Sequence, residues 1–199
     1  MRISPPGVTI FGVCVFIVLV GFLHIYKPTI NPIHQTLSQY ANYPRGVLFD
    51  IGIIAVGIGA SSLAFALKVA HPTISSVGLG LIITFAVTSL LVGFFHTSPE
   101  YASSGGVALF GKIHIVAATL GFISLAMAAI IVNKSLITSY PSSAHSISFF
   151  MAAMVIGDLV LALTVLMSNQ IAIIGIIERL AFASFLGWLC VVAYVLLPG

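Results

Sequence analysis

Polar side chains are scarce in this chain, so the residues that could do chemistry are easily gathered. The longest polar passage, residues 31–50 (NPIHQTLSQYANYPRGVLFD), supplies His34, Ser38, Tyr40, Arg45 and Asp50. Outside it stand His24, His96, Lys112, His114, Asp158, Glu178 and Arg179. Imidazoles with a carboxylate can ligate zinc or another divalent ion, which makes His24, Asp50, His96 and His114 candidate metal ligands. No pair of them has the i, i+4 spacing of a helical HExxH site. The same four could line a metal-free polar pocket, or sit singly with their tips in water. His34 and Ser38 are four residues apart, a spacing that suits a base and a nucleophile, but a local turn or helix cap explains it equally.

The elements that position these residues are set by composition. Of 199 residues, 60% are hydrophobic and 6% charged, against about a quarter charged in a soluble domain. Such a chain cannot cover a water-facing surface, and the expectation is an integral membrane protein. Seven basic residues scattered singly along apolar runs make no phosphate-binding stripe, so nucleic acid is not an expected partner. Six runs, 8–26, 46–68, 75–95, 113–132, 146–167 and 171–197, approach or exceed the roughly 20 residues a spanning helix needs. They are about twice the length of a barrel strand. The predicted fold is all-α, a single transmembrane domain over residues 1–199 built as a six-helix bundle.

Six spans put both termini on one side, called here the near side. The far side receives the connections after spans one, three and five, and collects all four acids (Asp50, Glu100, Asp158, Glu178) and four of the six histidines (His24, His34, His96, His114). The near-side connections are plain turns. Basic residues divide as Arg2, Lys68 and Lys134 near against Lys27, Arg45, Lys112 and Arg179 far. Discounting Arg179 and Lys112, which lie within or at the lip of spans, leans the termini towards the cytoplasm. Cys14 and Cys190 lie inside apolar runs and read as small buried hydrophobes. The first run has no small-residue cleavage pattern and reads as a retained span. Small residues four apart mark helix contacts: Ser76, Gly80, Thr84 and Thr88 in span three, with Ala55 and Gly59, Gly57 and Ser61, Ala117 and Gly121, Ala153 and Gly157, and Ala183 and Gly187 elsewhere. They also suit helix association into a homo- or hetero-oligomer.

Two deep charges stand out in the last hairpin. Asp158 lies ten residues before Ser168 and Arg179 nine after Gln170, which puts both roughly 13–15 Å below the hairpin tip at 1.5 Å per residue. A lone charge at that depth is costly, so the two are expected to face inwards and pair, with Glu178 pointing elsewhere. The pair would serve as an anion or proton site, or as an ion pair that fixes helix packing. A bis-histidine haem would want facing ligands near mid-membrane, whereas these histidines lie near the interface. A faint repeat, Tyr40-Ala41 with Leu48-Phe49 and Tyr101-Ala102 with Leu109-Phe110, would correspond to three stacked helical hairpins.

The run SQYANYPRGVLFDIGIIAVGIGASSLAFAL, the later FFHTSPE and GKIHIVAATLGFISLAMA, and the closing GIIERLAFASFLGWLCVVAYVL stand in an order that resembles a prokaryotic six-span membrane family, catalogued as domain of unknown function 998. The matching positions are Ser38 and Tyr40, Phe95 to Glu100, Gly111 and His114, and Glu178 with Arg179. FHTSPE departs from the family's Phe-Pro-x-Asp-like segment. The resemblance implies the six-span fold and topology and brings no established activity.

From these residues the expected function is binding of a lipid or small anionic molecule in a polar pocket at one leaflet, as a free-standing binder or a transporter component. Arg45, Lys112 and Arg179 would hold the anion, Asp50 and His114 would orient it, and residues 31–50 would form a lid. The alternatives are an intramembrane lipid hydrolase, with or without a metal, and a non-catalytic subunit of a larger membrane complex.

Overall fold

The structure, a computed structural model, describes residues 4–26, 30–96, 109–166 and 173–197. Six long helices dominate it: α1 (Pro5–Tyr26), α2 (Val47–Ala70), α3 (Ser76–Phe94), α4 (Leu109–Ser139), α5 (Ala144–Leu166) and α6 (Ile174–Val195). All six belong to stretches long and apolar enough to cross a bilayer. No strand occurs among the described residues. The protein is a six-helix membrane bundle.

Local chemistry explains where several helices start. At α1, Ser4 Oγ accepts the Gly7 amide (3.4 Å) ahead of Pro5 and Pro6, and proline suits a first turn because it has no orphan N–H to satisfy. Ser75 caps α3 by accepting the Gly78 amide at 3.3 Å. Before α2 the backbone turns at Arg45, whose φ is +68°, and a Cβ at the next residue, Gly46, would collide with the Ala41 backbone.

One helix differs clearly from its expected span. α4 covers 31 residues, about 46 Å at 1.5 Å per residue, which is more than the roughly 30 Å hydrocarbon core. Lys112, Asn133 and Lys134 interrupt the apolar run in sequence, but they lie near the helix ends, where a charged side chain reaches the interface.

Successive helices pack side by side, and α6 returns to α1 to close a ring. Its interior is filled by Trp188, Phe185, Leu63 and Leu125, all fully buried, while Phe11, Ile17, Phe65 and Phe149 lie on the outer surface. Large apolar side chains on the outside are what a lipid solvent requires. Most of the small-residue pairs do bring backbones together. Gly57 faces the Ala86 carbonyl, Gly59 faces Thr9, Gly121 faces Thr88 and Gly157 faces Ala181. The stripe in span three is a correction: Ser76, Gly80 and Thr84 are exposed, a Cβ on Gly80 would meet nothing within 4 Å, and only Thr88 faces the interior. A four-residue period drifts around a 3.6-residue helix, so the row leaves the interface.

Candidate functional site

The far side is built around the start of α6. The first amides of a helix have no partner within it, and here the segment before α2 supplies one: Ile33 O accepts from the Gly175 and Ile176 amides at 2.9 and 3.3 Å. The approach is close enough that a Cβ on Gly175 would lie 2.6 Å from the Pro32 carbonyl oxygen and would clash with that of Gln35. Residues 37–42 then form a 3-10 turn that seats Leu37, Tyr40 and Ala41 in the core, together with Ile30 from earlier in the loop. The polar passage therefore folds inwards over the bundle.

Arg179 holds that fold. Its Nη1 donates to the carbonyls of Pro32 (2.9 Å), Gln35 (2.6 Å) and Gly175 (2.9 Å), and its Nε donates to His24 Nε2 at 3.1 Å. Because an arginine can only donate, His24 Nε2 must accept. His24 Nδ1 lies 2.8 Å from Val20 O, and a carbonyl can only accept. The two contacts together define a neutral ring protonated at Nδ1. Tyr40 packs against that ring, with centroids 5.0 Å apart, and the guanidinium carbon lies 6.0 Å from the Tyr40 centroid. Burial pushes the Tyr40 phenol above its ordinary value, and the neighbouring Arg179 charge pulls it back. Beside Arg179, Glu178 Oε2 accepts the Leu37 amide at 2.6 Å.

A second polar cluster joins α2, α3 and α4. His96 Nε2 donates to Asp50 Oδ2 at 3.0 Å. His114, 3% exposed, donates from Nδ1 to Phe95 O at 2.6 Å and so caps the end of α3, leaving Nε2 as the acceptor nitrogen of the ring.

Between the two clusters lies a small, partly open cavity. It is walled by α1, α2, α3, α4 and α6 through Phe16, Phe49, Phe85, Phe122 and Phe182, with Ala117, Ala118 and Gly121 alongside. Its polar lining is Ser38, Thr88, Ser89, His114 and Glu178. Leu37 and Ser38, at the head of the 3-10 turn, form part of its wall.

The candidate residues thus separate. Ser38, His114 and Glu178 line the cavity, and Tyr40 and Arg179 brace the wall beside it. Asp50 pairs with His96 just outside its lining. His34 is exposed on the loop and Lys112 on α4. Arg45, also exposed, lies over the Tyr26 ring, 4.1 Å from its centroid. Lys27 and Glu100 fall outside the described residues.

Three expectations need correcting. Asp158 and Arg179 do not pair: the guanidinium turns to the loop carbonyls and His24, while both Asp158 oxygens are buried without a hydrogen-bond partner among the described residues. The three cations expected to hold an anion do not converge, because Arg179 spends Nε and Nη1 on His24 and three carbonyls, with Nη2 alone left without a hydrogen-bond partner among the described residues, and Arg45 and Lys112 point outwards. The four candidate metal ligands do not gather either. Both nitrogens of His24 are engaged with Val20 and Arg179, and among the described residues no group of three or more His, Cys, Asp and Glu is placed to hold a metal ion.

Sequence reading missed Thr88 and Ser89 as cavity residues, Gly175 as the loop's seat, and the carbonyls of Pro32, Ile33 and Gln35 as ligands of α6 and Arg179. Backbone groups leave no residue-type signal. The near side also holds more than turns. His71 Nε2 and Tyr140 Oη are 3.0 Å apart, burial raises the Tyr140 phenol above its ordinary value, and a wide groove lies among Ser75, Lys134, Ser135 and Thr138.

Comparison with known proteins adds the family. No curated protein matches the chain, and no solved structure does. A family model described as "Protein of unknown function (DUF998)" matches residues 10–195, from the second turn of α1 to the end of α6, so it takes in all six helices and both polar clusters. The chain belongs to that family of membrane proteins, DUF998.

Proposed function

We propose that this protein binds the polar end of a lipid or other membrane-soluble amphiphile in the far-side cavity, with residues 30–42 as its fixed cover. The observation that carries this reading is the cavity itself: aromatic and small apolar walls from five helices, with a few convergent polar side chains among them. Ligand sites generally combine an apolar enclosure with a small number of placed polar groups. The cover is held by five hydrogen bonds to α6, from Ile33, Pro32, Gln35 and Leu37, so it forms a wall rather than a free loop.

Binding at one leaflet fits better than passage across the membrane, because the other wide groove lies at the opposite end and shares no lining residue with the cavity. A metal-assisted hydrolase has less support. It would need convergent ligands, and Asp50 and His96 pair with each other while His114 turns to Phe95.

Native mass spectrometry of the protein released from membranes tests the proposal. The wild type is expected to carry a bound amphiphile, and Ala118→Phe, which projects a ring into the cavity, should lose it. Equal retention in a folded Ala118→Phe variant would sink the reading.

A further inference from the structure

Four of the five polar residues that line the cavity share a chemical bias, Ser38 having a hydroxyl that can donate or accept, and the bias is opposite to the anion preference expected from sequence. Glu178 offers a carboxylate, which accepts about four hydrogen bonds, and the Leu37 amide occupies one of these positions. His114 spends its Nδ1–H on Phe95 O and offers an acceptor at Nε2. Thr88 and Ser89 both donate their hydroxyl hydrogens to Phe85 O, at 3.0 and 2.8 Å, which leaves their oxygens as acceptors. Among the described residues no lysine or arginine lines the cavity. A phosphate or carboxylate placed there would meet like charge and lone pairs.

We infer that the ligand's polar end is a hydrogen-bond donor, an ammonium ahead of a hydroxyl, held by Glu178 and His114 with an aliphatic body against the phenylalanine walls. This deepens the cavity-binding reading and rests on it. An ammonium suits these acceptors better than the other candidate groups. It has three donors for Glu178, His114 and the hydroxyl oxygens, it neutralises the one charge in the cavity, and aromatic faces attract a cation. An alcohol satisfies the acceptors but leaves the carboxylate uncompensated in a poorly hydrated space.

The same carboxylate bonds the Leu37 amide at the head of the 3-10 turn, so a bound ammonium and the cover share one residue. Glu178 is therefore both the ligand's charge partner and one of the cover's anchors.

The test titrates the protein in nanodiscs of zwitterionic lipid with dodecylamine, dodecanol and dodecanoate, counting bound probe by native mass spectrometry. The expected order is amine, then alcohol about tenfold weaker, as losing one charge-assisted hydrogen bond implies, and no resolved binding of the carboxylate. Glu178→Gln, whose amide oxygen can still accept the Leu37 N–H, should bring the amine down to the level of the alcohol. Ala118→Phe should abolish binding of all three probes, and Ser89→Met on the neighbouring helix serves the same purpose if the first variant misfolds. Dodecanoate binding as tightly as dodecylamine, or an amine preference that survives Glu178→Gln, overturns the inference while the cavity reading stands, provided the filling variant still blocks binding. Probe binding untouched by the filling variants overturns the cavity reading itself.

Discussion

Arg179 and Asp158 carry opposite charges on neighbouring helices, and their surroundings could hardly differ more. Arg179 donates to three carbonyls and to the acceptor nitrogen of His24. Asp158, on α5, has two buried oxygens and no donor for either among the described residues. The difference lies in what each helix packs against. α6 sits between α5 and α1 and receives the loop on its first turn, so a long donor there finds unpaired carbonyls at the loop. The span containing α5 is the least enclosed of the six, with 17% of its most apolar window buried against 56% for α2. A short carboxylate in its middle finds no donor among the described residues, and the adjacent Gly157 packs against Ala181 of α6. A deep charge in a membrane helix is thus a fastener when the partner surface is frayed backbone and a liability when it is regular helix, whose amides are already used.

That contrast can be broken by mutation. Arg179→Ala should have the largest effect: three carbonyls and a histidine lose their donor, and with hydrogen bonds to charged groups contributing roughly 1.5–3 kcal/mol each, the loss should be about 3 kcal/mol or more. Unfolding in detergent would measure it, and faster proteolysis within residues 30–42 would show that the cover had come loose. Arg179→Lys should recover only part, because a point charge cannot reproduce the planar fork. Asp158→Leu should do the opposite and leave stability unchanged or raise it by up to about 2 kcal/mol, since an unpaired buried carboxylate costs more than the apolar group that replaces it. Destabilisation of Asp158→Leu equal to that of Arg179→Ala would mean that Asp158 has a donor partner, and the contrast would fail.

The smallest expected effect concerns Tyr40, which joins the arginine side of the comparison. Its phenol is raised from 10.0 by burial, with Arg179 opposing. A raised folded value favours the protonated form, so its contribution is complete below about pH 10 and is lost as pH rises beyond it. Stability should therefore fall at alkaline pH, and Tyr40→Phe should blunt the fall. Tyr140 shifts the same way, so the variant should not abolish it. Identical alkaline profiles for the wild type and Tyr40→Phe would show that the phenol is not held as the structure has it.

The helices were legible from hydropathy because a bilayer demands about 20 apolar residues whatever the tertiary fold. Even so, α4 was read short at both ends, since Lys112 and Lys134 break an apolar run without breaking a helix. The candidate site was legible in parts. His114, Glu178 and the importance of residues 31–50 could be seen because polar groups in such a chain are costly and few. Their grouping could not. A soluble helix shows its inward face as an apolar stripe, but a membrane helix is apolar all round. Sequence therefore gives the depth of Asp158 and Arg179 and says nothing of the direction in which each points.

What sequence alone determined is the class of protein, the number of spans, and the end of the bundle that is polar, because each follows from transfer of side chains out of water. What only the tertiary structure decided is which polar groups meet. Arg179 binds loop carbonyls instead of Asp158, His24 accepts from it and so leaves the histidine group, and Glu178 turns towards the cavity. Those outcomes depend on helix rotation and on backbone carbonyls brought to Arg179 from residues 144 or more positions away. Every residue type carries the same carbonyl, so no reading of side-chain identities could have located them.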